Sequence, residues 1–114
     1  ASCITEEEEA IYVGNHEECV GSSGVDEAVL KTAYEGDIRE DISFKNYINC
    51  FFTKSGFQDE KGEMRYDVIK SFVPHITQAD DLERTITVCE AKKLVGETPA
   101  DTAFLHFKCY MGKM

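Results

Sequence analysis

The sequence predicts an all-α fold, a compact bundle of six helices stapled by disulfides, and three observations carry that reading. Apolar residues recur with the helical period of about 3.6 rather than alternating as strands require. Only two prolines, Pro74 and Pro99, interrupt the 114 residues. Five cysteines, Cys3, Cys19, Cys50, Cys89 and Cys109, are many for so short a chain, and short cysteine-rich chains belong to oxidising compartments, where disulfides persist. At this length residues 1–114 are expected to form one domain that buries roughly two-thirds of its unfolded surface.

The elements follow in order. Thr5 and Glu8 make a capping box, and Glu6 to Glu9 place negative charge where a helix N-terminus favours it, so a first helix runs from there to about Cys19. A turn, Gly21-Ser22-Ser23-Gly24, leads to a short helix over about Asp26 to Tyr34. The third helix is the sharpest. Phe44, Tyr47, Ile48, Phe51 and Phe52 fall at i, i+3, i+4, i+7 and i+8, an apolar stripe along one face. Ser43 is a candidate cap for it, and Gly56 ends it in a left-handed conformation. A fourth helix holds Tyr66, Ile69, Phe72 and Val73 and stops at Pro74, which lacks an amide donor. The fifth spans about Ala79 to Leu94 and the sixth about Asp101 to Met111.

Charge and composition narrow the function. Charged residues are 30% of the chain and hydrophobic residues 42%, the balance of a globular protein rather than a disordered one. No apolar run approaches the roughly 20 residues that span a bilayer, so no membrane span is expected. The formal charge of −10 and the scattered Lys and Arg exclude nucleic acid as a partner. The acidity serves solubility, and it leaves open attraction to a basic partner. The chain has no Asn-x-Ser/Thr acceptor and opens on Ala1, as a processed secretory product would.

Each constellation that suggests chemistry has a plainer explanation. Asp59-Glu60-Lys61-Gly62-Glu63 looks like part of a calcium loop, yet with Gly62 at the sixth position Phe57 would be the first ligand, and a ring cannot coordinate calcium. The segment reads as a turn with solvated charges. His16 stands three before Cys19 and His106 three before Cys109, a spacing that puts each pair on one helical face, as zinc would need. Zinc requires free thiolates, however, and so does a Cys–His nucleophile, whereas a secreted chain oxidises these cysteines. No metal, cofactor or catalytic constellation is expected, and the chain does not read as an enzyme. Seven phenylalanines and five tyrosines remain, which serve either a filled core or the lining of a cavity. Composition does not separate the two.

Cysteine spacing goes further. Cys19 and Cys50 enclose 30 residues, Cys50 and Cys89 enclose 38, and Cys89 and Cys109 enclose 19. This resembles the insect odorant-binding and pheromone-binding protein family. "KNYINCFFTKSGFQDEKGEM" looks like the family's third helix and following turn, and "TPADTAFLHFKCY" like its last helix. Two of the family's six cysteines, partners in one bridge, are replaced by Asn46 and Ala100, as in its "minus-C" branch. The resemblance covers nearly the whole chain from Thr5 on.

The resemblance implies six helices around an apolar internal cavity, bridged Cys19–Cys50 and Cys89–Cys109. Of the 15 ways to make two bridges and one spare from five cysteines, it selects this one and leaves Cys3 as a free thiol. Each bridge should stabilise by about 3 kcal/mol. Family pocket positions fall on Tyr12, Ile48, Phe52, Phe57, Ile86 and Tyr110. Helical periodicity adds Ile69, Phe72 and Val73 from the fourth helix and Phe107 from the last. The expected function is a secreted carrier of small hydrophobic ligands, such as odorants, pheromones or fatty acids, in an extracellular fluid: sensillar lymph, haemolymph or a gland secretion. The partner is a small apolar ligand, and the chain itself a monomer or weak homodimer, with a Cys3–Cys3 link as one way to pair. The alternative is a secreted helical structural or interaction protein with a filled core and no ligand.

Overall fold

The Thr5 hydroxyl accepts the Glu8 amide and donates to the Glu8 carboxylate, both at 3.1 Å, and so starts α1 (Glu6–Ser23). Described here is a computed structural model in which residues 5–72 and 79–114 are defined. The helix α1 runs past the expected end at Cys19. It absorbs Gly21 and stops where Gly24 takes a left-handed φ of 70° and its N–H reaches the Val20 carbonyl. Asp26 then caps α2 (Glu27–Tyr34), accepting the Ala28 amide at 2.9 Å.

Asp41 rather than Ser43 caps α3 (Ile42–Lys54), its carboxylate accepting the Phe44 amide at 2.9 Å. Capping from Asp41 satisfies the amide of the third helical residue and lets the helix begin at Ile42, ahead of where a Ser43 cap would start it. Past Ser55, Gly56 turns the chain at φ 81°. The acidic segment that follows is indeed a turn. Asp59 accepts the amides of Lys61 and Glu63 at 2.8 and 2.9 Å, Gly62 sits at φ 92°, and an isolated bridge joins Gln58 to Met64. Those backbone donors, Glu63's first, hold the Asp59 carboxyl below its usual range.

Three helices complete the chain: α4 (Tyr66–Phe72), α5 (Ala79–Ala91) and α6 (Pro99–Tyr110). The fifth ends three residues before the expected Leu94, and Lys93 adopts a left-handed φ of 52° just beyond it. The sixth begins two residues before Asp101. Thr98 accepts the Asp101 amide at 3.1 Å, and Pro99 occupies the first helical position, where its missing N–H costs nothing.

Helices α3 and α6 form the centre, and α1, α4 and α5 lie around them. Phe44 on α3 meets Phe104 and Phe107 on α6 edge-on, at 6.0 and 5.4 Å between ring centroids. Lys45 and Lys108 lie over Phe104 at 5.1 and 5.3 Å, and Lys45 also pairs with Asp101 at 3.0 Å. Two disulfides join the layers: Cys19–Cys50 ties α1 to α3 and Cys89–Cys109 ties α5 to α6, with Cα separations of 5.6 and 6.0 Å. These are the two bridges the family resemblance implied, and both separations lie in the ordinary range. The radius of gyration, 13.4 Å, matches the roughly 13 Å of a compact domain of this length. Among the described residues no helix is long and apolar enough to cross a membrane.

Candidate functional site

On α1, Glu9, Tyr12, Val13 and His16 recur at i, i+3, i+4 and i+7 and so share one face. On α3, Tyr47 and Phe51 stand one turn apart, and Tyr34 is the last residue of α2. The three helices converge so that these seven side chains line a shallow, open cleft of about 250 Å³, with Val13, Tyr34 and Glu9 exposed at its edge. The Cys19–Cys50 bridge holds its two long walls together.

The walls are aromatic. Tyr47 and Phe51 stack at 6.1 Å, Tyr12 approaches Phe51 at 6.4 Å, and His16 meets Tyr47 edge-on at 5.6 Å. A single strong hydrogen bond fixes the floor, 2.6 Å between His16 Nδ1 and the Tyr47 hydroxyl. Burial, and then the nearby Tyr34 phenol, push the Tyr47 phenol far above its ordinary range. Burial first, and the Glu8 carboxylate second, raise Tyr12 as well. These phenols therefore stay neutral at any physiological pH. Among the described residues no lysine or arginine lines the cleft, and Glu9 is its only formal charge other than what His16 carries.

Behind Tyr12 the aromatic wall continues inward. Tyr12 contacts Phe72 at 4.6 Å, Phe72 contacts Phe57 at 5.3 Å, and Phe57 contacts Phe52 at 6.0 Å. Four of the expected lining residues thus form one connected group that opens at Tyr12. The others lie deeper or elsewhere. Ile48, Ile69, Ile86 and Phe107 are buried in the common core, and Phe107 backs onto Tyr34 at 5.9 Å. Tyr110 is half-buried beside His106 on the far side of α6, with its hydroxyl enclosed and unbonded. Val73 and Cys3 lie outside the described residues.

Sequence reasoning selected Tyr12 from the cleft and missed Val13, His16, Tyr34, Tyr47 and Phe51. A signal existed for part of it, since Glu9, Tyr12, Val13 and His16 form a stripe at helical spacing. Tyr34 carried none, because its place depends on how the α2–α3 connection folds back.

His106 is fully buried and bonded on both nitrogens, Nδ1 to the Thr102 carbonyl at 2.8 Å and Nε2 to the Tyr66 hydroxyl at 2.6 Å. Nδ1 must donate to the carbonyl, so Nε2 accepts from Tyr66 and the ring is neutral. Desolvation accordingly lowers its pKa. This pair fastens α4 to α6. Among the described residues no trio of His, Cys, Asp or Glu is placed to hold a metal. A larger cleft of about 590 Å³ opens between the turn after α3 and the α5–α6 connection, but Lys61, Glu63, Glu90, Lys93 and Glu97 make its rim polar.

Comparison with known proteins agrees with this geometry. Residues 1–113 match the PBP/GOBP family. The B1 and B2 proteins of Tenebrio molitor are 33% and 32% identical over 108 residues, covering 95% of this chain and 82% and 83% of theirs. Odorant-binding protein 10 of Aedes aegypti is 30% identical over 94 residues, 81% of this chain and 65% of that protein. In fold, the chain is similar to Odorant Binding Protein 7 from Anopheles gambiae, a structure with four disulfide bridges in complex with an azo compound. The TM-score is 0.73 at 24% identity, over 97% of this chain and 89% of that one. Six helices, two interhelical bridges and these likenesses agree: the chain belongs to the PBP/GOBP family.

Proposed function

We propose that the protein is a non-catalytic carrier for small molecules with an apolar body, held in the cleft between α1, α2 and α3 and against the aromatic group behind Tyr12. The observation that carries this reading is the cleft itself, an aromatic-walled opening of about 250 Å³ whose Tyr12 wall packs against Phe72, with Phe57 and Phe52 behind it. That volume is just below the roughly 300 Å³ at which drug-sized pockets begin, so the occupant is small. A ligand that withdraws about 150 Å² of apolar surface gains roughly 4 kcal/mol before the cost of association, so tight binding requires close fit to the rings as well as area. Two disulfides in so short a chain support an oxidising, extracellular fluid as its place of action. In that setting the protein works as a monomer or a weak dimer, with Cys3 free to link two copies.

Fluorescence titration with N-phenyl-1-naphthylamine tests the reading, and the absence of tryptophan leaves the signal clear of its emission. Saturable binding at one site per chain is expected. Tyr12→Ala, at a half-buried position, should weaken it about tenfold while far-UV circular dichroism stays unchanged. The rival, a filled-core interaction protein, draws on the close burial of Ile48, Ile69, Ile86 and Phe107. It predicts no saturable probe signal at all.

A further inference from the structure

The charge pattern around the cleft bears on which ligands it accepts. Three tyrosines and a phenylalanine line it, and aromatic rings present negative faces and positive edges. Glu9 stands on its rim, and Glu8 is close enough to raise the Tyr12 phenol. Glu6 and Glu7 occupy the same first turn of α1. No lysine or arginine among the described residues offsets them in the lining, and the whole chain carries −10. The Tyr47 hydroxyl is tied to His16, so the floor does not supply the several donors that a carboxylate needs. From this arrangement we infer that the cleft selects amphiphilic cations: ligands with an apolar body and an ammonium head that sits among the tyrosine rings beside Glu9. The inference rests on the carrier reading above and sharpens it to a ligand class.

Each part of the site acts on the head group in the same direction. An ammonium over an aromatic face is attracted by the ring quadrupole, and the contact strengthens as water leaves. Glu9 is exposed, so its pairing is worth about two- to fivefold in affinity and weakens with salt. A hydroxyl head gains neither effect. A carboxylate meets like charge at Glu9, and only the Tyr12 and Tyr34 hydroxyls and the second His16 nitrogen are there as donors to offset its lost hydration.

The test uses displacement of N-phenyl-1-naphthylamine at pH 7.5 by three isosteres: decylamine, decan-1-ol and decanoate. The amine should displace at about five- to tenfold lower concentration than the alcohol, and decanoate should be the weakest. Raising NaCl to 0.5 M should narrow the gap between amine and alcohol. Glu9→Gln should weaken the amine two- to fivefold and leave the alcohol unchanged. Glu97→Gln removes the same charge from the rim of the other cleft and should change neither, which separates a local effect from the protein's overall charge. Equal potency of amine and alcohol, or an equal loss in both glutamate variants, would overturn the inference while leaving the carrier reading intact. Absence of saturable probe binding would instead remove the carrier reading itself.

Discussion

Opening the Cys89–Cys109 bridge should free α5 in a way that opening Cys19–Cys50 does not free α1. Loop entropy alone predicts the reverse order. The two bridges close 20 and 31 residues, so their loss costs about 3.3 and about 3.7 kcal/mol, a difference of only about 0.4 kcal/mol in favour of Cys19–Cys50. What remains after each bridge is gone differs more. Helix α1 keeps the His16–Tyr47 bond, the Asn15–Ser55 bond at 3.4 Å, the Lys54–Glu18 pair at 2.6 Å and the contact of Tyr12 with Phe72. Helix α5 keeps Ile86, the partly buried Leu82 and the Lys70–Glu90 pair at 2.9 Å, and Val88 on its outer face is 53% exposed. Near 2.1 cal/mol/K per residue of unfolding entropy, each kcal/mol shifts the midpoint of a chain this size by about 4 °C. Both double-serine variants should therefore melt roughly 12–16 °C below the parent. Amide hydrogen exchange distinguishes them: residues 81–91 should lose protection in Cys89→Ser/Cys109→Ser well before the rest, whereas residues 8–20 in Cys19→Ser/Cys50→Ser should exchange with the global transition. If α5 stays as protected as α3 without its bridge, side-chain packing holds it and the reasoning fails.

Three further outcomes follow from the same contacts. The Lys45–Asp101 pair joins α3 to α6 next to Asn46 and Ala100, and the family resemblance makes those two positions bridge partners, so Asn46→Cys/Ala100→Cys should form a third disulfide and raise the melting temperature; two additional titratable thiols in the folded variant would refute that placement. His106 has its pKa lowered by burial, so the unfolded chain takes up the proton first: this residue's contribution is fully present above about pH 6.5 and is lost as pH falls below it. His106→Gln should flatten the melting temperature between pH 7 and 5, and an unchanged slope would show that carboxylates alone set it. A Cβ on Gly96 would fall on the Asp101 Cβ and within 2.8 Å of that residue's backbone, so Gly96→Ala should cost about 1–3 kcal/mol in urea unfolding.

Periodicity made α3 legible because its stripe of aromatics is both long and buried, and its observed span, Ile42–Lys54, follows that stripe. Helix ends were harder to read. Asp41 and Ser43 are both good N-caps, and only the path of the chain out of α2 decides which carbonyl and amide come together. Thr98 and Pro99 start α6 before the apolar period begins, so the pattern alone placed the start at Asp101. The disulfide pairing came from cysteine spacing read through family resemblance, since geometry cannot be assigned to five cysteines on an unfolded string. Within the site, burial and lining look the same in sequence. Phe52 and Phe57 touch the aromatic group behind the cleft, yet they share one buried core with Ile48 and Ile86.

The two histidines the structure describes show why residue type underdetermines role. Each stands three residues before a bridged cysteine, and each ring nitrogen bonds a tyrosine hydroxyl at 2.6 Å. His106 is fully enclosed, and its second nitrogen is committed to the Thr102 carbonyl, so both ring positions serve the packing of α4 on α6. His16 is only half-buried and bonds through Nδ1 alone, with its ring in the cleft wall. The two units are buried in opposite senses: around His106 the imidazole is enclosed and Tyr66 is half-buried, whereas around His16 the Tyr47 ring is enclosed and the imidazole is half-buried. One bond fastens α4 to α6 and the other α1 to α3, so in each case a fixed polar contact keeps two helices in register.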